Sequence, residues 1–155
     1  MWVILIEIRT PMSKFEQAEK IADKARESIS EFCMNECKAY CCRKGYIMVN
    51  DDQLNEIATK AKQEKLKKEE KITEYSFSQK FKINFTNSLG GCPALKDNKC
   101  TIHKNPKRPK VCHEYPIFVQ FKEIRISSKC PAQQQNKLYP YIQQLHKLGY
   151  KITYF

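Results

Sequence analysis

Ten residues, CMNECKAYCC from Cys33 to Cys42, hold half of the eight cysteines in the chain. Their spacing is C-x3-C-x3-C-C. On an unbroken helix, Cys33 and Cys41 would be separated by a rise of about 12 Å, too far for one tetrahedral metal ion. Either a helix breaks between them, or these thiols do not share one ion. Adjacent side chains also point in different directions in a helix or a strand, so we expect ligands from elsewhere in the chain.

The other cysteines occur later and are more widely spaced. They are Cys92, Cys100, Cys112 and Cys130. The sequence around them, GGCPALKDNKCTIHKNPKRPKVCHEYP, is rich in proline, and its two glycines permit tight backbone turns. Asp97 and Asn98 predict a turn within CPALKDNKC. We therefore expect stiff loops that present thiols, and a centre that fastens the two halves of the chain together.

Chain length and compartment indicate how these thiols are used. A chain of 155 residues can bury a core without disulfides. The opening MWVILIEI lacks a basic leader and is shorter than a membrane span, so it predicts a buried strand and a cytoplasmic protein. Thiols stay reduced there, which favours metal ligands. Four thiolates suit zinc or an iron–sulfur cluster such as 4Fe-4S, and both remain open.

The remaining pattern predicts an α+β fold: a small single domain over residues 1–155, with helices flanking a short sheet around a cysteine-ligated metal centre. Residues 13–32 form a leading helix, with Ser13 and Glu16 as a capping box. A second helix follows Asn50, and a final helix follows Cys130, kinked or split at Pro140. The predicted strands are GYIMV, KFKINF, one long strand over PIFVQFKEIRIS, and an edge strand KITYF.

Charge is distributed unevenly. The net charge of +11 arises in residues 76–155, which contain fourteen basic and three acidic residues. A basic surface of this kind can bind nucleic acid or an acidic protein partner. It can also offset thiolate charge, since several lysines lie among the second set of cysteines. No glycine-rich phosphate-binding loop can be built from four glycines, which disfavours a nucleotide-dependent enzyme.

The cysteine blocks resemble a known family. The order CMNECKAYCC, CPAL, CTIH and RPKVCHEYP, from Cys33 to Pro116, is similar to the zinc- or iron-chelating CxxCxxCC family, the YkgJ-type cysteine-cluster proteins. The resemblance runs from about residue 33 to 131, and residues 1–11 lie outside it. One departure is the three-residue gap before Cys41, where the family name implies two residues.

The resemblance implies a metal-binding protein and a set of ligands. We expect all eight cysteines to be metal ligands: Cys33, Cys37, Cys41, Cys42, Cys92, Cys100, Cys112 and Cys130. Arg108 is expected to donate a hydrogen bond to a ligand sulfur without itself binding the metal. His103 and His113 adjoin cysteines and are alternative ligands, or else hydrogen-bond to backbone or thiolate.

Three functions compete at this point. The first is a metal protein whose centre is structural or carries electrons. The second is a redox or protein-modifying enzyme with a pocket near His103, His113 and Tyr115, because a larger relative is the flagellin lysine-N-methylase. The third is a basic module for nucleic acid or other anions, in which Tyr115, Phe118 and Phe121 would contribute, although strand core is the simpler role for these aromatics. For the first function, a visible spectrum and a metal analysis separate zinc from an iron–sulfur cluster.

Overall fold

The computed structural model describes residues 11–86 and 91–155. The strand predicted for MWVILIEI lies outside the described residues. The helices are α1 Lys14–Ser28, α2 Ser30–Asn35, α3 Tyr40–Arg43, α4 Asp51–Ile57, α5 Lys60–Lys68, α6 Lys110–Glu114, α7 Pro131–Gln134 and α8 Tyr139–Lys147. The strands are β1 Tyr46–Val49, β2 Ile72–Tyr75, β3 Lys80–Asn84, β4 Leu95–Lys96, β5 Lys99–Cys100, β6 Ile117–Val119, β7 Glu123–Ile126 and β8 Lys151–Tyr154.

These elements form an α+β fold, as predicted, but with more than one sheet. One three-stranded sheet has the order β1-β3-β2 and is antiparallel. A second has the order β6-β7-β8, in which β8 lies at the edge and runs parallel to β7. β4 and β5 form a separate hairpin. Across the described ranges, no helix has the length and apolar character needed to cross a membrane.

The two larger sheets are associated with separate hydrophobic cores. The first core packs α1, α2, α7 and α8 with β6 and β7, and Ile117, Ile124 and Leu145 in it are fully buried. The second core lies between the β1-β3-β2 sheet and α4, around Leu54 and Ile83. The segment from Cys37 to Lys44 connects the two cores, so α3 with its paired cysteines lies at their junction.

The leading helix begins where the sequence predicted it, but it is interrupted at Ile29, after which α2 begins. The Ser13 side chain accepts a hydrogen bond from the Glu16 backbone, and the Glu16 carboxylate accepts one from the Ser13 backbone, which completes the capping box. Ala18, Ala22 and Ala25 face the core with no exposed surface. The small alanines let α1 approach β6 and α8 closely.

Two more elements expected to be continuous are divided, and the last helix is divided away from the expected position; none of these breaks coincides with a proline or glycine. The second predicted helix is split at Ala58, and Thr59 caps α5. The long strand over PIFVQFKEIRIS is a hairpin of β6 and β7. The last helix is split as predicted, but at Asn136, which is left-handed (φ 57°), whereas Pro140 lies in the first turn of α8, where proline is tolerated.

Candidate metal centre

A helix break, one of the two alternatives left open by the CMNECKAYCC spacing, is present. After α2 ends, Lys38 and Ala39 both adopt left-handed backbone conformations, with φ of 52° and 53°. The Ala39 N–H donates to the Cys33 carbonyl at 2.7 Å, which folds the chain back on itself. The Tyr40 N–H then donates to the sulfur of Cys37 at 3.4 Å. The break therefore folds the chain that leads to Cys41 back towards Cys33.

Backbone contacts join the first cysteine stretch to the second. The Cys92 N–H donates to the Cys42 carbonyl at 2.6 Å. Gly91, with φ of 75°, is packed against Cys42 and Arg43 so closely that a side chain at position 91 has no room. This contact brings the sulfur-bearing loops from the two halves of the chain side by side, as the sequence predicted.

The remaining thiols of the second half are positioned by short elements. The β4–β5 hairpin pairs Leu95 with Cys100, and the Leu95 N–H donates to the Cys92 carbonyl at 2.9 Å. Its turn uses Asp97 and Asn98, both left-handed, as predicted. Cys112 lies on α6, and Cys130 precedes α7 and is 3% exposed in the first core.

The thiols act on each other electrostatically in a pattern that differs from their order in the sequence. Burial, together with the charges of Cys37 and Cys130, raises the pKa of Cys33 to about 12. Burial likewise raises the pKa of Cys130, and Cys37 adds to it. Cys130, the last cysteine of the chain, therefore lies with the first ones.

A second neighbourhood surrounds Cys92. Burial raises the pKa of Cys92 to about 12, with contributions from Cys42, Cys112 and Cys100. Burial also raises the pKa of Cys112 to about 11, although Arg108 opposes that rise. Cys42 belongs spatially with these later cysteines.

The adjacent cysteines at the junction are within hydrogen-bonding distance of each other. The sulfurs of Cys41 and Cys42 are 4.0 Å apart. The hydrogen bond between them, reinforced by burial, raises the pKa of Cys41 far above its ordinary value. The same hydrogen bond, opposed by burial and assisted by the Arg108 guanidinium, lowers the pKa of Cys42 to about 7. The Arg108 guanidinium thus favours the thiolate form of Cys42.

Arg108 provides a test of whether the site suits an anionic thiolate centre. Its Nε is buried and has no hydrogen-bond partner within the described residues, while its Nη1 lies 3.1 Å from His103 Nδ1. A buried guanidinium N–H without an acceptor fits a site in which thiolate sulfur supplies that acceptor. Soft thiolates also suit zinc and iron–sulfur clusters. The donor set and Arg108 therefore fit such a group.

The candidate ligand side chains do not surround a single metal position. Within residues 11–86 and 91–155, no group of three or more His, Cys, Asp or Glu side chains has the arrangement that holds a single metal ion. All eight cysteines are free thiols. His103 and His113 are both exposed; burial and then Arg108 lower the pKa of each, so they are neutral at pH 7.

The basic and aromatic residues near the cysteines have mixed roles. Lys107 pairs with Glu56 at 3.4 Å and Lys110 with Glu114 at 3.2 Å, so acidic neighbours compensate part of the charge of the basic loop.

The aromatic side chains differ in burial. Phe118 packs edge-on against Tyr115, with ring centroids 6.4 Å apart, which agrees with a core role. Phe121 is 85% exposed on the β6–β7 turn, so the strand-core role expected for it is wrong.

Two surface depressions among the described residues lie away from the pocket expected for an enzyme. One of about 500 Å³ lies between α2 and α8, lined by residues such as Phe32 and Tyr141. Another of about 480 Å³ surrounds Phe121. Neither is lined by a cysteine, His103 or His113.

Fold and site together define a cysteine-rich domain in which loops from both halves of the chain bring reduced thiols together. The model of the CxxCxxCC family, described as “Putative zinc- or iron-chelating domain”, matches residues 32–138. That match covers more than half of the chain, so the chain belongs to this family, and the resemblance of its motifs is confirmed. No curated protein and no solved structure matches the chain.

Proposed function

We propose that the protein binds metal through the thiolates of its eight cysteines, as zinc or as an iron–sulfur cluster of the 4Fe-4S type. The observation that carries the proposal is that thiols of both cores act on one another electrostatically, while the Arg108 guanidinium, with its unpartnered Nε, acts on Cys42 and Cys112. Membership of a family to which zinc or iron chelation is attributed supports it. The role proposed for the centre is structural or electron-transferring.

The chain's own groups favour thiolate ligands. Arg108 lowers the pKa of both Cys42 and Cys112, which helps these sulfurs release their protons when a metal competes for them. The Tyr40 N–H stabilises negative charge on the sulfur of Cys37. A bound metal would supply the positive charge that the other buried thiols need in order to ionise.

A structural role follows from where the ligands lie. Cys33 and Cys130 belong to elements of the first core, whereas Cys92 packs against the second. Because both cores are small, metal binding in the folded state would add its binding free energy to that of folding. A centre at the junction would therefore stabilise both cores together.

Anaerobic purification, a visible spectrum and metal analysis test the proposal. An iron–sulfur protein is brown and absorbs near about 400 nm, with iron and sulfide in equal amounts. A zinc protein is colourless and contains stoichiometric zinc. Metal removal should also expose thiols that do not react with a thiol reagent in the loaded protein. A protein purified without oxygen that contains neither metal, and whose eight thiols all react at once, would refute the proposal.

A further inference from the structure

We propose that the eight cysteines form two separate four-thiol centres, with the adjacent Cys41 and Cys42 assigned to different centres. The first centre consists of Cys33, Cys37, Cys41 and Cys130, and the second of Cys42, Cys92, Cys100 and Cys112. This inference rests on the proposed metal binding and specifies how the ligands are divided. The division exchanges Cys42 and Cys130 relative to the two groups seen in the sequence.

The first set is assembled by the first core. Cys33 and Cys37 are held together by the backbone turn at Ala39, and both pack against the core that buries Cys130. Tyr115, partly buried against the same core, lies within electrostatic reach of Cys37, Cys41 and Cys130. One aromatic side chain therefore lies beside three of the four thiols in this set.

The second set is assembled by backbone contacts at the edge of the second core. Cys42 is bonded through its carbonyl to the Cys92 N–H, and the β4–β5 hairpin fixes Cys100 relative to Cys92. Arg108 acts on both Cys42 and Cys112, so its guanidinium lies beside this set. Its unpartnered Nε thus belongs to the second centre.

The paired cysteines connect the two sets. Cys41 is within reach of Cys33 and Cys37, and Cys42 is within reach of Cys92 and Cys112 as well as of Cys33. Consecutive residues on a helix project about 100° apart, which suits ligands of two different centres. Their sulfurs are 4.0 Å apart, so two centres would be immediate neighbours. Cysteine side chains must rotate to close either centre, since the thiols do not already surround a point.

Metal content in single and paired alanine variants tests this division. Cys130→Ala should disable the first centre and Cys92→Ala the second, each leaving about half of the wild-type metal because each centre uses four thiolates. Adding Cys41→Ala to Cys130→Ala should remove nothing further, whereas adding Cys42→Ala should remove the rest. In the Cys92→Ala background, the two additions should have the reverse effects.

The outcomes separate this inference from the proposed function. If the wild-type protein binds no metal, metal binding itself is wrong. If it binds metal but Cys41→Ala and Cys42→Ala have the same effect in both backgrounds, the division is wrong and metal binding stands. The same holds if Cys130→Ala or Cys92→Ala alone removes all metal from a variant that keeps the wild-type circular dichroism.

A measurement on the wild-type protein tests the division even if the variants fail to fold. Wild-type protein is treated with limiting chelator and a thiol-alkylating reagent, and intact chains carrying four labels are then mapped by fragmentation in the mass spectrometer. The labels should occupy one set or the other, with Cys41 accompanying Cys33 and Cys42 accompanying Cys92. Chains in which Cys41 and Cys42 are labelled together while Cys33 and Cys92 stay protected would overturn the inference.

Discussion

Gly91 lies against the backbone of Cys42 so closely that a Cβ at position 91 would be 2.5 Å from the Cys42 carbonyl oxygen. It would also lie 2.8 Å from the Cα of Arg43. Both obstacles are backbone atoms, which cannot rotate away as a side chain would. The left-handed φ of 75° at Gly91 adds a second reason for glycine. This contact sets the separation of the two cysteine-bearing loops.

Gly91→Ala is therefore expected to lower the free energy of unfolding by about 3 kcal/mol, from backbone strain and overpacking together. Gly45→Ala is the matched control, because Gly45 has a similar φ of 82° but nothing within 4 Å of the added Cβ. It should cost about 1 kcal/mol, from strain alone. Urea denaturation of metal-loaded protein measures both changes, and equal losses would contradict the close contact.

Local features of this fold could be read from the sequence, because the residues that cause them are adjacent in the chain. The Ser13–Glu16 capping box and the Asp97–Asn98 hairpin turn are of this kind. The β6–β7 turn could not be recognised, because Gln120, Phe121 and Lys122 include no glycine, proline or asparagine. Pairing with β8 and packing on α1 determine that turn instead.

The candidate site was predictable in its members but not in its arrangement. Residue type and spacing indicated eight cysteines, a helix break before Cys41 and contact between the two halves. The spatial association of Cys130 with Cys33 depends on how α7 packs in the first core, more than ninety positions away along the chain. Periodicity and spacing hold no information about such a contact.

Arg26 connects α1 to the segment that follows Cys112. Its side chain is 11% exposed and donates to the carbonyls of Glu114 (3.1 Å) and Ile117, while Asp23 accepts at 2.7 Å. Arg26→Ala leaves two partly buried carbonyls without a donor and should cost about 1–3 kcal/mol of unfolding free energy. Chemical denaturation of the metal-loaded protein tests this.

The control variant at position 26 keeps the positive charge but not the planar guanidinium that donates to two carbonyls. Arg26→Lys retains the ion pair with Asp23, yet one ammonium group cannot reproduce the planar donation to both carbonyls. It should therefore lose most of the stability that Arg26→Ala loses. Full stability in Arg26→Lys would show that charge alone accounts for the effect of Arg26.

Arg108 should control metal retention and its pH dependence. Arg108 lowers the pKa of Cys42 and Cys112, so Arg108→Gln raises both values and lets protons compete with the metal at higher pH. Metal release on acidification should shift to higher pH, and retention against a chelator should fall about 10-fold or more. Lys107→Gln, an exposed neighbour paired with Glu56, is the control. If the pH dependence of metal release were unchanged in Arg108→Gln, Arg108 would have no role at the metal site.

Gln63 is a buried polar residue that links α5 to α4 across the break between them. It is 2% exposed, and its Nε2 donates to the Ala58 carbonyl at 2.8 Å and to Asn55 Oδ1 at 3.0 Å. A continuous helix would have placed Ala61 inward, but Ala61 is exposed and Gln63 takes the inward position. The amide therefore replaces the helical hydrogen bonds that are lost at the break.

Gln63→Leu keeps similar bulk but leaves the Ala58 carbonyl without its side-chain donor, so unfolding free energy should fall by about 1–3 kcal/mol. Lys62→Leu, at an exposed position on the same helix, should change it by less than about 0.5 kcal/mol. Urea denaturation followed by circular dichroism measures both variants. Because the hydrogen bonds of Gln63 join α4 to α5 and involve no cysteine, metal content should equal that of the wild type in each. If Gln63→Leu were as stable as the wild type, hydrophobic burial rather than the amide would hold α5 in place.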